Sequence, residues 1–422
     1  MKVGFVTPRY GPQIMGGAES AARMLAEHLR AATDWPVEVY STCAVDHLTW
    51  RDELAPGTSE LNGVLVRRFP SVAGRSPAFY GLDGRLRQAP AAASLNEAER
   101  WVQLNGPVVP SLVDALLRSD LDVVCFYPYL YYPTVRAIGR VPMPAVLHPA
   151  AHDEPALYLP VFARTFQAAD GICYHTEAER RLVQRVYPEV AVTPQIVLGL
   201  GLADLPGPRR SGGSVLGLGD RPYLVSVGRV DEHKGSVMLA RFFATFKERH
   251  PGPLALALVG PVAAEIPPHP DIVVCGILDE QDKRDVVADA LLALSPSALE
   301  SFSLVVLEAW ALGVPVVVNG TCEPTREHCE RSGGGLWFSD YEEFEVALER
   351  LLADPGLRAR LGRAGFAYVE RHYRWPVLIE RYRVFLEGVR ARGRRSARLA
   401  RDGSAPSPVI SRRQPGRVQA LA

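Results

Sequence analysis

Residues 199–220, GLGLADLPGPRRSGGSVLGLGD, decide how the chain is divided. Gly, Pro and Ser are so dense in this run that neither the helical period nor the strand period survives. On its amino side, the opening KVGFVTP is an apolar run that leads through a glycine-rich turn into a helical stretch at 18–29. Similar apolar runs recur at 37–41, 64–69, 122–126, 145–147, 171–174 and 195–198. On its carboxyl side the alternation restarts with PYLVSVG, LALALVG, DIVVCG, ALLALSPS and VPVVVNG, separated by amphipathic stretches at 236–249, 281–289 and 303–312. Apolar strands alternating with helices build parallel sheets covered on both faces. The expected fold class is α/β, with two doubly wound domains facing a cleft: residues 1–205, a link at 206–220, and residues 221–374. Ligands of such sheets bind beyond the carboxyl ends of the strands, so chemistry is sought there.

A chain of 422 residues exceeds the roughly 250 to 300 at which a single core stops growing, which agrees with two domains. With 47% hydrophobic and 22% charged residues, the composition excludes a fibrous or grossly disordered protein. The net charge of zero conceals a split, because residues 388–422 hold nine arginines against one acid, Asp402. That basic segment, beyond a last helix at 375–389, reads as a disordered tail over 390–422 and a candidate for peripheral contact with anionic membrane. No nucleic acid partner is expected. The start, MKVGFVTPRY, lacks the basic and apolar regions of a secretion signal, and no apolar run reaches the ~18 residues of a membrane span. The expected location is cytoplasmic, with the tail reaching the inner membrane surface. Cys43, Cys125, Cys173, Cys275, Cys322 and Cys329 are scattered, mostly in apolar runs, and are read as reduced core residues without a zinc site.

Four segments carry chemistry. In SPSALESFSLVVLEAWALGVPVVV (295–318), Glu300 precedes a helix starting near Ser303, and Glu308 lies more than a turn inside it. The free amides of Phe302, Ser303 and Leu304 suit anionic phosphate oxygens, and the Glu308 carboxylate suits a vicinal diol. In VSVGRVDEHKG (225–235), a strand ends at Gly228, and Arg229 and Lys234 follow as cations for the cleft. PRYGPQIMGGAES (8–20) puts Gly16 and Gly17 between the first strand and helix, where a missing Cβ lets backbone approach a ligand, with Glu19 in the first turn. PAVLHPAAHDEPAL (144–157) places His148, His152, Asp153 and Glu154 just beyond a strand. The pair Asp120 and Asp122 in SDLDVVCFY precedes its strand, away from the cleft, and is read as a solvated strand entry.

These segments resemble the family 4 glycosyltransferases of the GT-B superfamily, built from two Rossmann-like domains. Glu300 and Glu308, with Pro296, Ser297, Ala309, Gly313 and Pro315, match its Glu-x7-Glu motif and following Gly-x-Pro, although Ser301 stands where the family usually has Gly. The GRVDEHKG segment is similar to its Gly-Arg-x4-Lys-Gly element, and Gly16, Gly17 and Glu19 to its Gly-Gly-x-Glu loop. Trp375 and the apolar stretch after it resemble the family's closing helix, which crosses back to the first domain. The resemblance implies retaining transfer of a hexosyl unit from a nucleotide diphosphate sugar to a hydroxyl of a glycan, lipid-linked or small-molecule acceptor. It assigns catalysis to Glu300, Arg229, Lys234 and His152. Gly16, Gly17, Gly228, Arg229, Lys234, Phe302, Ser303, Leu304 and Glu308 would hold the donor. His152, followed by Asp153, is preferred to His148. No metal and no cofactor besides the donor substrate are expected. Two rival readings are a nucleotide-sugar epimerase of the same fold and a non-catalytic sugar-nucleotide-binding protein.

Overall fold

The computed structural model describes residues 1–14, 17–204 and 207–394. Its first sheet comprises β1 (Val3–Val6), β2 (Val37–Thr42), β3 (Gly57–Leu61), β4 (Val64–Phe69), β5 (Val123–Phe126), β6 (Ala145–Leu147), β7 (Gly171–Tyr174) and β8 (Gln195–Val197). The second comprises β9 (Tyr223–Val227), β10 (Ala255–Val259), β11 (Ile272–Gly276), β12 (Leu292–Ser295), β13 (Val316–Asn319) and β14 (Gly335–Phe338). Every residue of β1, β2, β5, β7, β10 and β13 is buried, as expected where helices cover both faces of a parallel sheet.

The strand orders are β3-β4-β2-β1-β5-β6-β7-β8 and β11-β10-β9-β12-β13-β14. In each sheet the order reverses beside the first strand of the unit, between β1 and β5 and between β9 and β12. Connections leave in opposite directions at such a point, opening a crevice beyond the strand ends. One departure from a wholly parallel sheet is β3, which pairs antiparallel with β4 and is mostly exposed. Asn62 at φ 50° and Gly63 at φ 78° make the two-residue turn that joins them. Adjacent left-handed residues match the twist of a hairpin, and Asn-Gly adopts them at least cost.

Within the stretch read as a link, the helix Gly212–Val215 packs against the helix Glu280–Asp289 of the second unit. The Arg209 and Gly213 N–H groups donate to Asp285 at 2.9 Å and Asp289 at 3.2 Å. A Cβ on Gly212 would lie 2.3 Å from the Tyr223 hydroxyl, so only glycine permits this approach. At the other end, the helix Trp375–Arg392 lies on the first unit's helix Gly17–Ala32. Trp375 stacks on His28 at 4.0 Å, and Tyr382 reaches His148 with its hydroxyl 2.8 Å from Nε2. Of the basic tail, residues 395–422 lie outside the described residues. No helix among the described residues is long and apolar enough to cross a membrane.

Candidate active site

The loop after β9 is organised by one carboxylate. Asp231 accepts from Arg229 Nε through one oxygen and from the Lys234 backbone N–H, at 2.7 Å, through the other. These contacts, Arg229's charge among them, hold its carboxyl below the usual range against the opposing effect of burial. Gly235 follows at φ 75°, where a Cβ would lie 2.5 Å from the Pro296 carbonyl, so the loops after β9 and β12 touch backbone to backbone. Across that contact Lys234 Nζ lies 2.6 Å from Glu300 Oε1. Gly228, Arg229, Lys234, Glu300, Ser303 and Leu304 line one cavity of about 130 Å³ at the reversal of the second sheet.

Ser303 caps the helix Leu304–Ala311 from a left-handed conformation, φ 73°, and its buried hydroxyl has no protein partner. The N–H groups of a first helical turn have no partner within their own helix, and Ser303, Leu304 and Val305 of this helix start line the cavity. The Phe302 side chain does not line it. Its ring is 1% exposed and packs between the domains, on His328 at 5.0 Å, Tyr373 at 5.4 Å and His175 at 6.2 Å. Glu308 borders an adjoining cavity with Val227, Ser295 and Val305, residues shared with the first. Burial raises its pKa, and Lys283, 3.5 Å away, opposes the rise.

On the first domain, Gly17 opens its helix with free space beside it, and Gly16 lies outside the described residues. Glu19 is taken up by Arg9, whose Nε and Nη2 lie 2.9 and 2.6 Å from one carboxylate oxygen. The two candidate histidines have different surroundings. His148 is fully buried, stacked on Tyr127 at 4.1 Å and bonded to Tyr382, and burial pushes its pKa well down. His152 is partly exposed on the loop beyond β6, and its buried Nδ1 has no protein partner.

That loop depends on a residue the motifs did not indicate. Glu179, fully enclosed, accepts from the Ala151 N–H at 2.8 Å and the His175 N–H at 2.6 Å, joining the loops after β6 and β7. Burial pushes its carboxyl up to about 7 despite those bonds. Ala150 in the same loop has φ 51°. Of the four non-glycine residues with positive φ among the described residues, Asn62 serves the hairpin, whereas Trp50, Ala150 and Ser303 lie in the segments that follow β2, β6 and β12. Strained backbone of this kind persists where surrounding structure fixes a functional loop. His175, 3% exposed and without a protein partner at either ring nitrogen, is pushed down to about 4 by burial.

Sequence reasoning also passed over Asp231, Lys283 and Arg9. Asp231 stands three residues before the N–H that it caps, a recurrent turn pattern. Thr176 and Glu179 form a helix-start pattern, but neither Arg9 nor Lys283 carries a local signal. Asp120 and Asp122 are ion-paired at the amino end of the sheet, Asp120 with Lys2 at 2.5 Å and Asp122 with Arg390 at 2.8 Å. Among the described residues no group of three His, Cys, Asp or Glu side chains is placed to hold a metal ion.

The family described as Glycosyl transferases group 1 matches residues 214–367, the unit that carries this cavity. That unit is a glycosyltransferase domain, and the chain as a whole has the GT-B fold. It is 23% identical over 401 residues to an uncharacterized glycosyltransferase of Methanocaldococcus jannaschii, covering 89% of this chain and 95% of that protein. Over 203 residues it is 31% identical to the GDP-mannose-dependent alpha-(1-6)-phosphatidylinositol monomannoside mannosyltransferase of Mycolicibacterium smegmatis, covering 44% of this chain and 51% of that enzyme. Sucrose-phosphate synthase from Thermosynechococcus elongatus shares the fold, with a TM-score of 0.66 at 17% identity over 93% of this chain and 99% of that one.

Proposed function

We propose that transfer proceeds with retention, from a donor whose diphosphate is held by Arg229 and Lys234, to a hydroxyl of a glycan, lipid-linked or small-molecule acceptor lying against the first domain. The observation that carries this reading is the convergence of Arg229, Lys234, Glu300, Ser303 and Leu304 on one cavity at the strand-order reversal of the second sheet. As the glycosidic bond breaks, negative charge grows on the departing phosphate. The two cations and the N–H groups at the helix start are fixed beforehand where that charge develops, which is the most effective form of electrostatic stabilisation.

Glu300 lies beside Lys234 and is assigned the hydroxyls of the transferred sugar, and Glu308 the ribose. The departing phosphate oxygen accepts the proton of the acceptor hydroxyl on the same face of the sugar, so no side chain has to act as nucleophile. His152 is assigned to positioning at the reacting centre. These roles need no metal, since Arg229 and Lys234 supply the positive charge.

The test is incubation of the enzyme with a panel of nucleotide sugars, with and without candidate acceptor alcohols, following nucleotide release and the anomeric configuration of the product. Acceptor-dependent release with the donor's configuration preserved is expected. Inversion would defeat the proposed mechanism, and conversion of the donor to an epimer without acceptor would defeat transfer.

A further inference from the structure

We propose that Lys283 is a positioning residue for the nucleotide, holding the Glu308 carboxylate ionised and aimed at the ribose. The inference rests on the reading of Glu308 as the ribose ligand.

Glu308 borders a cavity whose walls include Val227, Val287, Leu294, Val305 and Val316. A carboxylate in such surroundings is driven to take up a proton, because little there replaces its hydration. A protonated carboxyl has a donor where the diol needs an acceptor, and it gives up the stronger, charge-assisted form of both bonds. Donor recognition through Glu308 therefore needs a nearby cation.

Lys283 supplies it from the first turn of the helix Glu280–Asp289, which begins beyond β11 at the same end of the sheet as the cleft. Its Nζ lies 3.5 Å from Glu308 Oε2 and 2.8 Å from Glu280 Oε2. The Glu280 contact does not account for this placement. Glu280 is 79% exposed and its pairing in water contributes little, whereas the Lys283 side chain is only 22% exposed. The charged groups acting on Glu308 are Lys283, Arg284 and Glu280. The first two favour ionisation and the third opposes it from solvent. Lys283 is the one of the two cations that makes an ion pair with Glu308.

The experiment measures binding of UDP, GDP and inorganic pyrophosphate to the full-length wild type, Lys283→Met, Lys283→Arg and Glu308→Gln from pH 5 to 8. In the wild type, binding of the preferred diphosphate should weaken as pH falls and Glu308 takes up its proton. Removal of the cation raises that pKa further, so Lys283→Met should move the weakening to higher pH by about one unit, with about tenfold weaker binding where the two curves differ most. Lys283→Arg should restore the wild-type curve, and Glu308→Gln should leave only the pH dependence of the phosphate groups, which pyrophosphate shows by itself. Pyrophosphate, which has no ribose to reach Glu308, should bind Lys283→Met and the wild type alike. A Lys283→Met curve superimposed on the wild type, with Glu308→Gln weakened, would overturn the role of Lys283 and leave the ribose assignment standing. Nucleotide binding unaffected by Glu308→Gln would overturn the ribose assignment itself. Equal losses for nucleotide and pyrophosphate in Lys283→Met would show a general disturbance of the site and likewise overturn the inference.

Discussion

The Lys234 ammonium lies 2.6 Å from the Glu300 carboxylate, and this contact joins the loop after β9 to the loop after β12. The two residues are 66 positions apart in the chain. Each fixes the other's position at the cavity, so their losses should not add. Lys234→Ala and Glu300→Gln are each expected to lower kcat/KM by at least ~10²-fold, the scale of losing one preorganised electrostatic contact. The double variant should lose less than the product of the two. Steady-state nucleotide release checks this, and losses under threefold in both single variants would remove these residues from catalysis.

Asp231 makes the intermediate case. Asparagine at this position keeps an oxygen for the Lys234 N–H but gives up the charge that holds Arg229. Asp231→Asn should therefore lose about tenfold in kcat/KM, within the worth of one charge-assisted hydrogen bond. Asp231→Ala, which frees both ends of the loop, should lose more. The ordering is the test, and an alanine variant as active as the asparagine variant would contradict it.

His148 and His152 should separate by readout. His148 fills a packed position between Tyr127 and Tyr382, so His148→Ala should destabilise the fold by about 2–4 kcal/mol, the range for large-to-small core changes. His152 stands on a partly exposed loop, and His152→Ala should leave the unfolding free energy within about 0.5 kcal/mol of wild type while lowering turnover. Urea unfolding and kcat on the same two variants decide between them. Unchanged turnover in His152→Ala would transfer the role elsewhere.

Much of this was legible in the sequence because the relevant signals are local. Apolar runs and glycine-rich strand ends announced the alternating architecture, and Gly228, Arg229 and Lys234 stand within seven residues of one strand end. Glu300 and Glu308 were visible for the same reason, as they flank the start of a single helix. The hairpin strand β3 was missed although Asn62-Gly63 marks it, because GTSEL is exposed and has no apolar alternation to draw attention. Glu179, Lys283 and Arg9 were missed for a different reason. Each acts on a partner brought near by the fold, Ala151 for the first, Glu308 for the second and Glu19 for the third. The Phe302 ring turns into the domain interface, where Gly199 leaves room for it, a placement on which the reading of its backbone N–H made no claim. A Cβ on Gly199 would lie 3.0 Å from that ring.

Acid stability gives the last expectation, and its sign follows from burial. His175 is held at about 4 in the folded protein against an ordinary value near 6.5, because its enclosed ring cannot be solvated as a cation. The folded state therefore favours the neutral ring. Its contribution is fully present above about pH 6.5 and is lost as pH falls toward 4, since the unfolded chain takes up the proton first. His328, pushed down to about 3, acts in the same direction. Glu179 acts in the opposite one. Its folded pKa is raised to about 7, so its contribution is present at low pH and fades as pH rises through that value. The whole-protein curve mixes these effects, and a comparison with a single variant isolates one of them. His175→Gln retains Glu179 and His328 but has no proton to gain at residue 175. Between pH 7 and pH 5 it should lose about 2 kcal/mol less stability than the wild type, the share one such histidine contributes over that interval. Urea unfolding at the two pH values measures the difference, and parallel losses in both proteins would show that His175 does not titrate as a buried group.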